Sequence, residues 1–353
     1  MLKIGIIGAG AIAKSHLDAY ARNPYTKVIA IADLNEALAK ERAQDFGIEH
    51  YYTDYKAILE NAEIDAVSII TPPYTHCNIT VEALKADKHV LCEKPPAMTV
   101  QETELAVKTA EETGKLLMYG FLFRFMPETT FLKRYIDDGK MEQIYHADVM
   151  RLTRYSVING WFADKAKAGG GMLIDSAVHL IDQVMYLMGY PKVKEVSGFT
   201  TTINNDLAGQ IKGQPGFYTS LDRNQYERTV ESMSSGYVKL DNGAVLTVKA
   251  GSICFSVSSG TYIEMIGKNA GIRVDEEGIT LLSNVNDYLT ESKPVMKDNP
   301  SAFQSELDHF ADCCLNNTPC ICQGWQAIEL MKIIEGIYQS AATGQSVHYD
   351  TEK

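Results

Sequence analysis

The chain lacks several things that would steer its reading elsewhere. No stretch reaches the roughly 18 consecutive apolar residues of a membrane helix, so no membrane partner is expected. No basic run offsets the formal net charge of −12, which argues against nucleic acid as a partner. No Cys-x2–4-Cys pair of the structural zinc type occurs: Cys313, Cys314, Cys320 and Cys322 cluster as Cys-Cys and Cys-x-Cys. They read as reduced, buried thiols, and no metal is expected. The opening Met1-Leu2-Lys3-Ile4-Gly5 runs straight into a strand with no signal-peptide pattern, so a cytoplasmic location is expected. Internal repeats and low-complexity tracts are missing too.

What is present is an ordinary globular composition, 45% hydrophobic and 22% charged, over 353 residues, enough for about two domains. Strand and helix patterns alternate at first. Strands are expected at Lys3–Ile7, Lys27–Ala32, Ala66–Ile70, His89–Leu91 and Lys115–Tyr119. Helices are expected at Ala11–Arg22, Asn35–Phe46, Tyr55–Glu60, Thr75–Ala86 and Val100–Thr113. That alternation predicts crossover units and a parallel sheet covered on both faces, ending near Gly120.

The pattern then changes. Helices are expected at Pro127–Asp138, Met172–Met188, Ser301–Leu315 and Trp325–Ala342. Strands are expected at Ile144–Arg151, Lys192–Thr202, Ser235–Leu240, Ala244–Ser252, Tyr262–Ile266 and Gly278–Leu282. Asp241-Asn242-Gly243 is a hairpin signal, because Asn-Gly accepts the positive φ of a tight turn. The fold class is therefore α/β: an N-terminal domain with a parallel sheet, 1–120, and a C-terminal α+β domain, 121–353, with a mostly antiparallel sheet. The polar, Gly-rich segment Asn204–Arg228 reads as a mobile loop.

Gly8-Ala9-Gly10-Ala11-Ile12-Ala13 sits between the first strand and the first helix. There Gly8 allows the tight turn, Gly10 admits a pyrophosphate, and Ala13 lets helix and strand pack closely. Such a string is weak alone and strong in this position. Asp33 ends the second strand, where a carboxylate accepts ribose hydroxyls and repels a 2′-phosphate. Leu34 and Asn35 add no positive charge, so NAD is expected over NADP. Asp33 could instead cap the following helix. Thr71-Pro72-Pro73-Tyr74-Thr75-His76 follows a strand at the edge where parallel sheets open to ligand. Thr75 is expected to cap the next helix, and His76 could face the cofactor or turn away.

Cys92-Glu93-Lys94-Pro95 follows another strand on that same edge. Alone, Lys94 reads as a surface lysine, but Glu93 and Pro95 suggest a tightly held turn whose Lys94–Pro95 bond could be cis. Downstream, Asp175 and His179 stand four apart on a helical pattern after Gly169-Gly170-Gly171. That spacing puts them on one face, where Asp can orient an imidazole; spacing alone equally fits a surface pair. The glycines are expected to let backbone approach a ligand. Arg154 and Trp161, in the preceding connection, could line a sugar site; a core Trp is the alternative.

Gly8-x-Gly10-x-x-Ala13, Thr71-Pro72, Glu93-Lys94-Pro95 and Gly171-x-x-x-Asp175-x-x-x-His179 together resemble the Gfo/Idh/MocA oxidoreductases. The resemblance extends to Arg124-Phe125-x-Pro127 and Glu264-Met265-Ile266-Gly267, and covers nearly the whole chain. It implies a Rossmann domain that binds NAD through Gly8, Gly10, Ala11, Ile12, Asp33, Thr71, Pro72, His76, Glu93 and Lys94. It implies that Lys94, Asp175 and His179 are catalytic. Arg124, Arg154, Trp161, Asp175 and His179 would bind a sugar or polyol. The implied reaction is NAD-dependent oxidation of a hydroxyl to a ketone, with His179 as general base. It also implies a homodimer or homotetramer formed through the second domain's sheet, with the closing helix able to pack back on the first domain. Two departures bear on the substrate: Leu122 and Pro73 stand where relatives often carry Asn. Two other functions remain open: an NAD-dependent glycosidase with transient redox, and a non-enzymatic NAD- or sugar-sensing regulator.

Overall fold

The computed structural model describes residues 1–154, 160–202, 228–252, 256–296 and 301–351. Of the expected loop Asn204–Arg228, only Arg228 falls within them. The chain divides into two compact units: Met1–Phe125 with Asn299–Ile328, and Met126–Asp298 with Glu329–Lys353.

The first unit holds a six-stranded sheet of β1 (Leu2–Ile7), β2 (Thr26–Ala32), β3 (His50–Tyr52), β4 (Ala66–Ile69), β5 (His89–Cys92) and β6 (Leu117–Tyr119). Its order is β3-β2-β1-β4-β5-β6, and every pair is parallel. That is the doubly wound arrangement whose strand order reverses beside β1, where ligands bind at the carboxyl ends. Ile4, Ile6, Val67, Ile69, Val90 and Leu91 are all buried, as expected of central strands covered on both faces. The intervening helices are α1 (Ala11–Arg22), α2 (Glu36–Phe46), α3 (Lys56–Glu60), α4 (His76–Lys85) and α5 (Val100–Thr113). The ends of α2 and α5 follow capping chemistry: Asn35 and Thr99 accept from the first turns, and Gly47 and Gly114 close them in the left-handed region.

The second unit opens with α6 (Pro127–Asp137) and carries a nine-stranded sheet. Its strands are β7 (Ile144–Leu152), β8 (Val193–Thr201), β9 (Met233–Leu240), β10 (Val245–Gly251), β11 (Gly260–Gly267), β12 (Ala270–Asp275), β13 (Gly278–Val285), β14 (Tyr288–Ser292) and β15 (Val347–His348). The order is β14-β13-β12-β11-β7-β10-β9-β8-β15; β10 and β7 pair parallel, and the other pairs are antiparallel. The Asn242-Gly243 turn joins β9 to β10, with Gly243 at φ +85°. Short α7 (Lys165–Ala168) and α8 (Val178–Leu187) complete the unit's middle.

Two sequence expectations change here. The single helix expected from Met172 begins with a π turn, Leu173–Ala177, before α8. The strands β3, β12, β14 and β15 were not expected: β3 and β15 are three and two residues long, β12 is six residues long with only Ala270 and Ile272 buried, and β14 is an edge strand exposed throughout. The chain then returns to the first unit through α9 (Ala302–Asn316), which packs on α1, and ends with α10 (Gly324–Thr343). Within the second unit, α10 lies tight against the sheet. A Cβ on Gly198 would stand 2.5 Å from the Ile337 carbonyl oxygen, and the Gly198 N–H donates to Ser340 Oγ. No helix among the described residues is long and apolar enough to cross a membrane.

Candidate active site

In the first unit, a glycine turn joins β1 to α1. Gly8 sits at φ +103°, and a Cβ there would stand 2.5 Å from the Ile70 carbonyl oxygen, so only glycine fits. Gly10 is the N-cap of α1 and provides no side-chain cap; a Cβ on it would meet nothing within 4 Å. The helix therefore presents its first N–H groups and the positive end of its dipole to open space, with Ala11 exposed and Ile12 half-buried beside them. Asp33 accepts from the Ala9 N–H at Oδ2 (2.8 Å) and from the Asn35 N–H at Oδ1 (2.8 Å). It is not the cap of α2; Asn35 is, accepting from Leu38. Leu34, next to Asp33, is 90% exposed. An anionic dinucleotide fits this donor set, and a carboxylate flanked by an exposed leucine gives a 2′-phosphate no cation.

The Thr71 and Lys94 turns are clasped together by His76. The ring is fully buried; Nδ1 lies 2.7 Å from the Pro95 carbonyl and Nε2 2.7 Å from the Thr71 carbonyl. Burial pushes its pKa below the ordinary histidine value, and the two carbonyls only partly offset this. Thr75 does not cap α4 with its side chain. Its hydroxyl donates to Thr71 Oγ1 (2.7 Å) and the Pro72 carbonyl (2.8 Å), because Pro73–Thr75 forms a 3-10 turn first. Thr71 and Pro72 are half-buried at this edge.

The Lys94–Pro95 bond is cis. Glu93 Oε2 accepts from the Lys94 N–H at 3.2 Å, and Oε1 lies 2.9 Å from Nε2 of buried His16. Lys94 itself is half-buried. The turn is thus gripped from α1 through Glu93 and from α4 through His76.

In the second unit, Asp175 lies in the π turn and is 9% exposed, and His179 lies in the first turn of α8, half-buried. Wide turns of this kind recur at functional sites. Two of the glycines before them, Gly170 and Gly171, stand close to protein groups. A Cβ on Gly170 would stand 2.0 Å from Tyr338 Oη, and one on Gly171 2.8 Å from the Glu231 carbonyl. Buried Glu231 accepts from the Gly171 N–H at 2.8 Å and from Tyr338 Oη at 3.0 Å. Burial and the Glu231 carboxylate hold the Tyr338 phenol well above its ordinary pKa.

Of the other expected contact residues, Arg124 is 2% exposed. It donates from Nη1 to the Ile321 carbonyl and to Gln326 Oε1, and its guanidinium lies over Phe121. Arg154 is exposed and donates to the Ser256 and Val257 carbonyls. Trp161 is half-buried and stacked on Phe162, ring centroids 3.6 Å apart. Leu122 lies in a 3-10 turn and Pro73 is buried. Sequence reasoning missed His16, Glu231 and Tyr338, since their partners lie far off in the chain.

Comparison with known proteins agrees over the same two regions. Residues 2–121 match the profile of the GFO_IDH_MocA oxidoreductase family, NAD-binding Rossmann fold. Residues 133–349 match the profile of that family's C-terminal alpha/beta domain. The chain is 30% identical to a D-glucoside 3-dehydrogenase of Escherichia coli (strain K12), over 98% of this chain and 97% of that protein. It is 26% identical to a scyllo-inositol 2-dehydrogenase (NAD(+)) of Bacillus subtilis (strain 168), over 100% and 97%. The fold matches levoglucosan dehydrogenase in complex with NADH at a TM-score of 0.86, 23% identity and 99% coverage of both chains. The chain therefore belongs to the Gfo/Idh/MocA oxidoreductases, with the family's NAD-binding Rossmann fold and its C-terminal alpha/beta domain.

Proposed function

We propose that this protein is an NAD-dependent dehydrogenase that oxidises a secondary ring hydroxyl of a glycoside or inositol to a ketone. The observation that carries this reading is the 30% identity, over nearly the whole chain, with a D-glucoside 3-dehydrogenase. The inositol and levoglucosan enzymes widen the class to cyclic polyols.

NAD, when bound, accepts the hydride leaving the substrate carbon. Gly8, Gly10, Ala11 and Ile12 would hold its pyrophosphate at the N-terminus of α1, and Asp33 its ribose. Asp33 together with exposed Leu34 favours NAD over NADP. Thr71, Pro72, Glu93 and Lys94 would edge the cofactor, with His76 serving this edge through the two turns it clasps.

The chain's own chemistry concerns the proton. His179 takes it from the reacting hydroxyl as general base, and Asp175 stabilises the imidazolium that results. The Lys94 ammonium stabilises the alkoxide character that grows on oxygen as hydride departs. Arg154 and Trp161 would contact the sugar ring, with Arg124 in the same substrate-binding set.

A homo-oligomer is part of the same reading. The strand register places Phe199, Tyr237, Ile266 and Leu282 on one face of the nine-stranded sheet, all exposed. These large side chains share the face with the ion pairs Lys239–Glu195 and Arg273–Glu264, and a mixed face rich in aromatic residues suits contact with a second copy. Dependence on NAD fits a cytoplasmic site of action.

The test is a panel of glucosides, inositols, anhydrosugars and free aldoses with NAD, followed at the nicotinamide band. NADH production with at least one cyclic polyol is expected. Glycoside cleavage without net NADH, or binding with no turnover of any member, would overturn the reading.

A further inference from the structure

The first unit contains a second chemical cluster, remote in sequence from every residue assigned above to cofactor or substrate. His309 and Cys313 stand one turn apart on α9, and Cys320 follows in the connection to α10. His309 Nε2 and the two sulfurs all lie within 4.8 Å of one another, and the Cys313 sulfur is 3.4 Å from Nε2. A tetrahedral Zn²⁺ with Zn–S of about 2.3 Å and Zn–N of about 2.0–2.1 Å holds its ligand atoms about 3.5–3.8 Å apart. The three atoms therefore need only a small contraction to share one ion.

The surroundings favour ligation over three idle thiol and imidazole groups. The Ile321 N–H donates to Nε2 at 3.1 Å; a backbone N–H can only donate, so Nε2 carries a lone pair and no proton, the state a metal ligand needs. The ring is held in this orientation against Phe125, centroids 5.6 Å apart. The backbone between the ligands is fixed as well, because Arg124 grips the Ile321 carbonyl. Cys313 is buried while His309 and Cys320 are half-buried, which leaves an ion a path in.

We propose that His309, Cys313 and Cys320 form a binding site for one thiophilic d10 cation of the Zn²⁺ type, with a fourth position left to water or an added ligand. Binding replaces the two thiol protons by metal–sulfur bonds and releases them to solvent. A small shift of the imidazole passes the Nε2 lone pair from the Ile321 N–H to the ion and leaves that N–H facing a thiolate. The ion would staple the end of α9 to the segment that Arg124 holds. No residue of the dehydrogenase reading belongs to the cluster, so either proposal can fail without the other.

The test uses the full chain, reduced, stripped with a chelator and titrated with Zn²⁺ against a chromophoric competitor, then with Co²⁺ as a spectroscopic probe. Expected are one Zn²⁺ per chain, release of about two protons per ion, and a thiolate-to-cobalt charge-transfer band. Cys320→Ser and His309→Ala should each weaken Zn²⁺ by more than the about 10–100-fold lost with a group that merely orients a ligand. Cys77→Ser, elsewhere in the first unit, should leave binding unchanged. The cobalt band of the unaltered chain answers the question even if a variant fails to fold. No band with the unaltered reduced chain, or Zn²⁺ uptake equal in a Cys313→Ser/Cys320→Ser double variant, would overturn the proposal. So would a Cys313–Cys320 disulfide whose reduction restores no metal uptake.

Discussion

Nδ1 of His76 lies 2.7 Å from the carbonyl oxygen of Pro95, the residue after Lys94, while the opposite nitrogen of the ring lies 2.7 Å from the Thr71 carbonyl. One buried ring thus fixes the turn that carries the candidate lysine to the turn after β4. His76→Ala should lower kcat by about 100-fold, the cost of a displacement on the order of 1 Å at a reacting group. KM for the sugar should change little. A variant with kcat intact and only a lower Tm would assign His76 to stability alone.

Lys94 and His179 act on the proton and the alkoxide in this account. Lys94→Met and His179→Ala should each lower kcat by about 10²–10⁴-fold, the range of a positioned acid–base group. NADH affinity, read by calorimetry, should stay within a few-fold of the unaltered protein. Full turnover in either variant would remove that residue from the mechanism.

Asp33 joins the Ala9 N–H to the Asn35 N–H, so it ties the glycine turn to the end of β2, and under the proposed function it also contacts the ribose. Asp33→Ala should cost about 1–3 kcal/mol of stability by leaving these donors without their acceptor. It should also weaken NADH binding. Asp33→Ser with Leu34→Arg should shift preference toward NADPH. Equal affinities of the unaltered protein for NADH and NADPH would contradict the assignment.

Glu231 is buried beneath the glycine loop and serves both Gly171 and Tyr338. Glu231→Ala should destabilise the second unit by about 1–3 kcal/mol. Gly171→Ala should also destabilise it, since its Cβ would stand 2.8 Å from the Glu231 carbonyl. Denaturant midpoints measure both; unchanged midpoints would mean that the loop is held by other contacts.

Acid should destabilise the fold through its buried imidazoles. Burial lowers the pKa of His76, and burial followed by Lys115 lowers that of His89. An unfolded chain then binds more protons than the folded one once pH falls below the ordinary histidine value of about 6.5. The stability these rings contribute is complete above that value and is lost as pH falls through the folded-state values. Urea midpoints measured downward from pH 7 should therefore fall, and His89→Gln should flatten part of the slope. A midpoint independent of pH across this range would refute the assignment.

Much of the fold and of the candidate site was legible because the signals are local. The turn at Gly8-Ala9-Gly10 lies between adjacent elements, Asn242-Gly243 joins neighbouring strands, and Asp175 and His179 are one turn apart. What escaped was non-local or weakly patterned. His16 reaches Glu93 across 77 residues, Gly171 reaches Glu231 across 60, and Tyr338 reaches Glu231 across 107. The glycines of this loop were visible in the sequence, but that Gly170 and Gly171 pack against Tyr338 and Glu231 was not. His309 is a different case: its i, i+4 relation to Cys313 was visible, but Cys–Cys spacings alone drew no attention to it.

The central claim is that this chain moves a hydride from a ring carbon to NAD. Its most direct test supplies ring-deuterated glucosides and inositols with unlabelled NAD and measures the mass of the NADH formed. The account predicts NADH carrying one deuterium, together with the corresponding ketone. Unlabelled NADH, or hydrolysis of the glycoside with NAD left unreduced, would contradict it.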